Sequence, residues 1–179
     1  MQLTYTKPTA YFKRVIDNLP PGRLLIVNDS QNLHAEYAKE KGWEVAIAGN
    51  SPNSQTEEWE VIEISERGLR CNSSKLFDAL FVLPIANAIE ARPLFFQTLY
   101  TCLQPSGGNL YAVLLCPQQN VPDNTSYSEE EIMPLFQHLE IDIVQESTLD
   151  TEQGSLLAWE VSCVKKSVQD NSDSVSFSI

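Results

Sequence analysis

Leu24-Leu25-Ile26-Val27 is an unbroken apolar run with no polar residue to turn toward water. A strand of that kind is buried on both faces, as in a parallel sheet covered by helices on each side. Phe77-Asp78-Ala79-Leu80-Phe81-Val82-Leu83-Pro84 repeats the pattern, so two such strands are expected at the centre of one sheet.

The segments around them alternate between helical and strand periods. Thr9 to Asn18 places Tyr11, Phe12, Val15 and Ile16 on one helical face, and Leu19-Pro20-Pro21-Gly22 stops that helix before the first strand. After the polar loop Asn28-Asp29-Ser30-Gln31-Asn32, Leu33 to Lys41 carries Leu33, Tyr37 and Ala38 at helical spacing. Gly42 stands where a helix ends in left-handed geometry, and Trp43 to Ala48 follows as the second strand. Trp59 to Ile64 is a third strand, reached through a crossover so short that Ser51 to Glu58 holds a single helical turn or an irregular segment.

Beyond the strand at Phe77, Arg92 to Leu103 presents Leu94, Phe95, Leu99 and Leu103 to a core. Pro105-Ser106-Gly107-Gly108 then turns the chain into a fifth strand, Asn109 to Cys116. Ser128-Glu129-Glu130-Glu131 is a capping box opening a helix through Leu139, started unevenly or kinked at Pro134. Ile141 to Glu146 and Ser155 to Val164 are close enough to pair as an antiparallel hairpin. The expected fold is α/β and Rossmann-like: a mainly parallel sheet, helices on both faces and a C-terminal antiparallel hairpin. Residues 1–165 form one domain, and the serine- and aspartate-rich residues 166–179 are expected to be a disordered tail.

The net charge of −12 opposes nucleic acid and anionic lipid, because any local positive patch works against the field of the whole molecule. No basic start with an apolar h-region and no run of membrane-spanning length is seen, which points to a soluble, cytoplasmic protein. Cys71, Cys102, Cys116 and Cys163 contain no CxxC pair and read as free, mostly buried thiols. With only His34 and His138 to join them, no metal site is assigned. Without a secretory signal, the sequons at Asn72 and Asn124 are chance matches in loops.

Pro21-Gly22-Arg23-Leu24-Leu25, Ala35-Glu36-Tyr37-Ala38-Lys39 and Gly42-Trp43-Glu44-Val45 occur in an order that resembles the class I S-adenosylmethionine-dependent methyltransferases, especially the tellurite-resistance and thiopurine methyltransferase branch. Phe77-Asp78-Ala79-Leu80 is similar to that branch's fourth strand, and Leu103-Gln104-Pro105-Ser106-Gly107-Gly108 to its following turn. The resemblance runs from about Tyr11 to Lys166 and implies S-adenosylmethionine as cofactor, if any. It places the family's glycine-rich loop on Asn28, Ser30 and Asn32, with Asp29 between them, and the ribose-holding acid on Gly49, with Asn50 as the nearest polar substitute. Asparagine tolerates the left-handed geometry of such a loop, but its side chain fills space a glycine leaves empty. Cofactor binding is therefore expected to be weak or absent.

Asp29 is either a mimic of the family's loop acid, holding the methionine ammonium, or an ordinary turn residue. His34 is a general base near the crevice or a solvated first-turn histidine. Asn87 is the one hydrogen-bonding residue just after the fourth strand, and Glu129, Glu130 and Glu131 complement a helix dipole. Three functions stay open: a non-catalytic protein binding a small molecule or protein partner, an active small-molecule methyltransferase, and a binder of another nucleotide-like ligand in the same crevice.

Overall fold

The computed structural model describes residues 3–49, 60–65, 68–70, 76–85 and 92–166. Eight strands lie in one sheet: β1 (Arg23–Val27), β2 (Glu44–Gly49), β3 (Glu60–Ser65), β4 (Gly68–Arg70), β5 (Ala79–Val82), β6 (Asn109–Leu115), β7 (Glu140–Thr151) and β8 (Gly154–Val164). Their spatial order is β4-β3-β2-β1-β5-β6-β8-β7. The five strands from β3 through β6 are mutually parallel, while β4 at one edge and the β8-β7 hairpin at the other run antiparallel. The doubly wound sheet expected from the apolar runs is present, with strand order reversing between β1 and β5, the point where such sheets place ligands.

Every residue of β1 and β5 is buried, as unbroken apolar strands at the centre of a covered sheet must be. Alternate side chains feed two cores. Leu25, Val27, Leu80 and Val82 face α3 (Arg92–Cys102) and α4 (Glu129–Leu135), whereas Leu24, Ile26, Ala79 and Phe81 face α1 (Ala10–Asn18) and α2 (Leu33–Glu40). Arg23, at the amino end of β1, is buried with its guanidinium 4.4 Å from the Phe77 ring centroid. It pairs with Glu44 at 3.1 Å and with Glu60, stitching the starts of three neighbouring strands together.

The sequence expectations need correction in four places. Leu94 is 46% exposed, and Phe96 takes its place in the core. Helix α4 ends at Leu135 rather than Leu139, with Pro134 inside its last turn and Phe136 N–H donating back to Met133 O at 3.3 Å. Both hairpin strands are longer than the apolar residues alone suggest, with a bulge between Ile141 and Ile143. Strand β4 was not anticipated, since three residues carry no periodic signal. The Ser51 to Glu58 crossover, Cys71, the Asn72 sequon and residues 167–179 lie outside the described residues; Asn124 sits in a short 3-10 turn. Cys102, Cys116 and Cys163 are free and buried. No helix among the described residues is long and apolar enough to cross a membrane, and none of their His, Cys, Asp and Glu side chains cluster as a metal site would require.

Candidate ligand crevice

At its carboxyl end β1 runs into the loop 28–32, beside the ends of β2 and β5. The backbone N–H of Asn28 donates to Ala48 O at 2.7 Å, and Leu83 N–H donates to Val27 O at 3.0 Å, so the three strand ends meet at the reversal of strand order. Asn28 and Asn32 both take left-handed geometry, with φ of 70° and 59°. Asparagine is among the few residues with a side chain that visit this region at low cost, so the tight turn survives without glycine.

Three side chains of this loop, those of Asn28, Asp29 and Gln31, are bonded to other parts of the molecule. Asn28 Nδ2 donates to Pro84 O at 2.5 Å, bridging from the end of β1 to the end of β5. Asp29 is buried, with Oδ2 accepting from Ala35 N–H at 2.9 Å and Oδ1 3.0 Å from His34 Nδ1. Ala35 N–H is one of the amides a helix leaves unbonded in its first turn. The N-cap residue Asn32 makes no capping hydrogen bond, so Asp29 supplies the cap from three positions upstream. Asp29 is thus neither an exposed anion awaiting an ammonium nor an Asx-turn residue; the turn is closed by Asn32 N–H donating to Asp29 O at 3.2 Å. Ser30 is half-buried in the same loop.

His34 overturns the expectation of a solvated first-turn residue: it is fully buried. Nε2 accepts from Thr9 N–H at 3.1 Å, so the ring is neutral with its proton on Nδ1, donated to Asp29. The cause is the strap formed by residues 3–9, which crosses this loop before α1 begins. Tyr5 N–H donates to Gln31 Oε1 at 2.6 Å, and the Tyr5 and Phe12 rings meet the imidazole edge-on at 5.4 and 4.9 Å. The strap's other end is tied to the hairpin turn, where Glu152 N–H donates to Thr4 O at 2.9 Å. Both imidazole nitrogens are engaged, which leaves His34 no free lone pair for a substrate proton. Burial pushes the Tyr5 hydroxyl pKa upward, with the Asp29 carboxylate adding to the effect, and that hydroxyl has no hydrogen-bond partner among the described residues. Leu3, Tyr5, Gln31 and the strap as a whole were not singled out by the sequence, because a short apolar-polar segment before a helix has no periodicity to reveal where it docks.

The neighbouring strand end is different. Gly49 closes β2, and among the described residues a Cβ built on it would have nothing within 4 Å. Asn50 and Asn87 lie outside the described residues. Glu129, Glu130 and Glu131 occupy the first turn of α4, where Ser128 N–H donates to Glu131 Oε2 at 2.8 Å, and this backbone contact lowers the Glu131 pKa.

A sheet ordered 3-2-1, reversed, and ended by an antiparallel hairpin, with its crevice over β1 and β2, decides the comparison. The fold is that of the class I methyltransferases. Solved structures with the methyltransferase fold align over most of the chain. One, from work on the conversion of a disulfide bond into a thioacetal group during echinomycin biosynthesis, matches with a TM-score of 0.73 at 10% identity, covering 95% of this chain and 86% of that one. TehB from Haemophilus influenzae matches at 0.69 and 14% identity over 87% of this chain, which spans 61% of TehB. The Burkholderia thailandensis 1,6-didemethyltoxoflavin-N1-methyltransferase, solved with S-adenosylhomocysteine bound, matches at 0.65 and 14% identity, covering 88% and 79% of the two chains. No family profile and no curated protein matches the sequence.

Proposed function

We propose that this chain is a methyltransferase-fold protein that no longer carries out methyl transfer and instead binds a small molecule or protein partner. The reading rests on the hydrogen bond from Asn28 Nδ2 to Pro84 O. It sets a side chain across the strand reversal, where a cofactor's amino-acid part needs bare backbone. The rest of the loop supports it: the Asp29 carboxylate and the His34 imidazole are both spent on internal partners. Gly49 adds a second loss, since no carboxylate ends β2 to hold ribose hydroxyls. These residues do not fit S-adenosylmethionine, and no catalytic step is assigned through it.

Charge-assisted hydrogen bonds of the missing kind contribute about 1.5–3 kcal/mol, and imperfect approach at the loop removes roughly another kilocalorie. The sum corresponds to binding about a hundredfold to a thousandfold weaker than at an intact site. Calorimetry on the purified protein is expected to show S-adenosylmethionine binding in the high micromolar range or weaker. Low-micromolar affinity would overturn the proposal in favour of an active small-molecule methyltransferase.

A further inference from the structure

Between the strap of residues 3–9, the start of α1 and strands β6, β7 and β8, a pocket of about 90 Å³ is lined by Lys7, Ala10, Tyr11, Val113, Ser147 and Glu160, among others. None of the crevice residues Asn28, Asp29, Ser30, Asn32 and Gly49 lines it. Val113 and Glu160 are direct partners in the β6-β8 ladder and therefore project from the same face of the sheet, the one that carries α1. Glu160 thus meets the pocket with its side chain. That residue is only 7% exposed, and its Oε2 accepts twice, from Arg14 Nη2 at 2.5 Å and from Gln145 Nε2 at 2.7 Å. Among the described residues its other oxygen, Oε1, accepts nothing. The unpaired Tyr5 hydroxyl and Trp43 indole nitrogen are sealed from solvent, whereas Glu160 Oε1 is not, and the space beside it is this pocket. A carboxylate so deeply buried normally has both oxygens bonded, so a free one on a cavity marks a place for a donor.

The start of α1 (Ala10–Asn18) supplies the opposite pole. Phe12 N–H donates to Thr9 Oγ1 at 3.4 Å, while among the described residues the amides of Ala10 and Tyr11 have no acceptor. Such amides point out of the amino end of a helix and carry partial positive charge. Lys7, exposed on the strap just before them, adds a full one. Val113 and Leu149 give the pocket apolar wall, and Ser147, on the same face of β7 as Gln145, adds a hydroxyl.

We propose that this pocket binds a small zwitterionic amino acid, about the size of glycine or alanine. The ammonium donates to Glu160 Oε1, and the carboxylate accepts from the amides of Ala10 and Tyr11 with Lys7 beside it. A molecule with one charge fits worse. A plain amine meets the amino end of α1 and Lys7, and a plain carboxylate meets Glu160, Asp150 and the net charge of −12. The volume is well below that of sites for drug-sized ligands and admits only a few heavy atoms. This inference is independent of whether the crevice binds S-adenosylmethionine.

The test uses the full chain, ¹⁵N-labelled, titrated with alanine and with its two half-molecules: ethylamine, which lacks the carboxylate, and propionate, which lacks the ammonium. Alanine is expected to shift the Ala10 and Tyr11 amide signals saturably at millimolar concentration, with each half-molecule binding about tenfold weaker or more. Glu160→Gln keeps an acceptor for Arg14 but removes the charge, and is expected to weaken alanine about tenfold. Lys7→Ala changes an exposed strap residue outside the core, so it reads the other pole without threatening the fold. It is expected to weaken alanine about threefold and to leave ethylamine no weaker. No saturable shift with alanine up to about 50 mM, which would mean a pocket holding water only, overturns the proposal. Either half-molecule binding as tightly as alanine, or an unchanged alanine affinity in folded Glu160→Gln, overturns it as well.

Discussion

In the function proposed above, the two halves of the crevice differ from the methyltransferase pattern in opposite ways. At the end of β1 the space has been filled: Asn28 reaches to Pro84, Asp29 caps α2, and His34 and Gln31 hold the strap of residues 3–9. At the end of β2, by contrast, Gly49 has no described residue within 4 Å of where its Cβ would be. A filled half is coupled to folding, because its polar groups are now the partners of buried backbone. Among the described residues, the Gly49 half has no such partners. Restoring the first therefore risks stability, whereas restoring the second does not.

The largest expected effect comes from reversing both halves. Asn28→Gly, Ser30→Gly and Asn32→Gly together with Gly49→Asp should tighten S-adenosylmethionine binding by about a hundredfold or more in calorimetry, if the parent binds weakly for the reasons given. Testing the two sets separately divides the effect. Gly49→Asp alone should recover the larger share, about 1.5–3 kcal/mol, because a charged bidentate acceptor outweighs improved backbone approach. A full recovery from the three glycines alone would show the filled half to be the dominant defect.

Next in size is Asp29→Ala, which strands Ala35 N–H and His34 Nδ1–H without acceptors in a buried place. Urea unfolding should register a loss of about 2–4 kcal/mol. A loss below about 1 kcal/mol would mean that water takes over the cap and that this half is not coupled to folding. Gly49→Asp, by contrast, should change stability by no more than about 0.5 kcal/mol in the same measurement. The smallest effect is expected from truncation after Lys166. Residues 167–179 are polar with few apolar side chains, so the melting temperature should be essentially unchanged; a fall of several degrees contradicts this.

The central sheet was legible because its signal is local and redundant. Leu24 to Val27 and Ala79 to Val82 are apolar at every position, and each sits where only a doubly covered strand tolerates it. The left-handed turns at Asn28 and Asn32 were legible for a similar reason, since the residue type itself permits them. His34 was not. Its burial depends on Tyr5 and Thr9, whose contact with the loop spans more than twenty residues of sequence and leaves no periodic trace. The same applies to the capping role of Asp29, which acts on an amide six residues away while the side chain of the nominal N-cap residue makes no capping bond. Hairpin length was underestimated because β7 is built largely from polar residues and is exposed at most positions, so neither apolar content nor clean alternation announces it.

That outer strand has a consequence for how copies of the molecule meet. β7 is the last of the sheet order, twelve residues long, and among the described residues no strand pairs with its outer backbone groups. An open ladder of this length is a template for recruiting another chain, and it ends in fibres when nothing opposes it. Glu140, Asp142, Glu146 and Asp150 set four negative charges along it, and the bulge at Asp142 breaks its straight line. Two such edges approaching each other at neutral pH bring like charges together before any backbone bond can form. The carboxylates of one strand thereby guard the sheet against edge-to-edge growth.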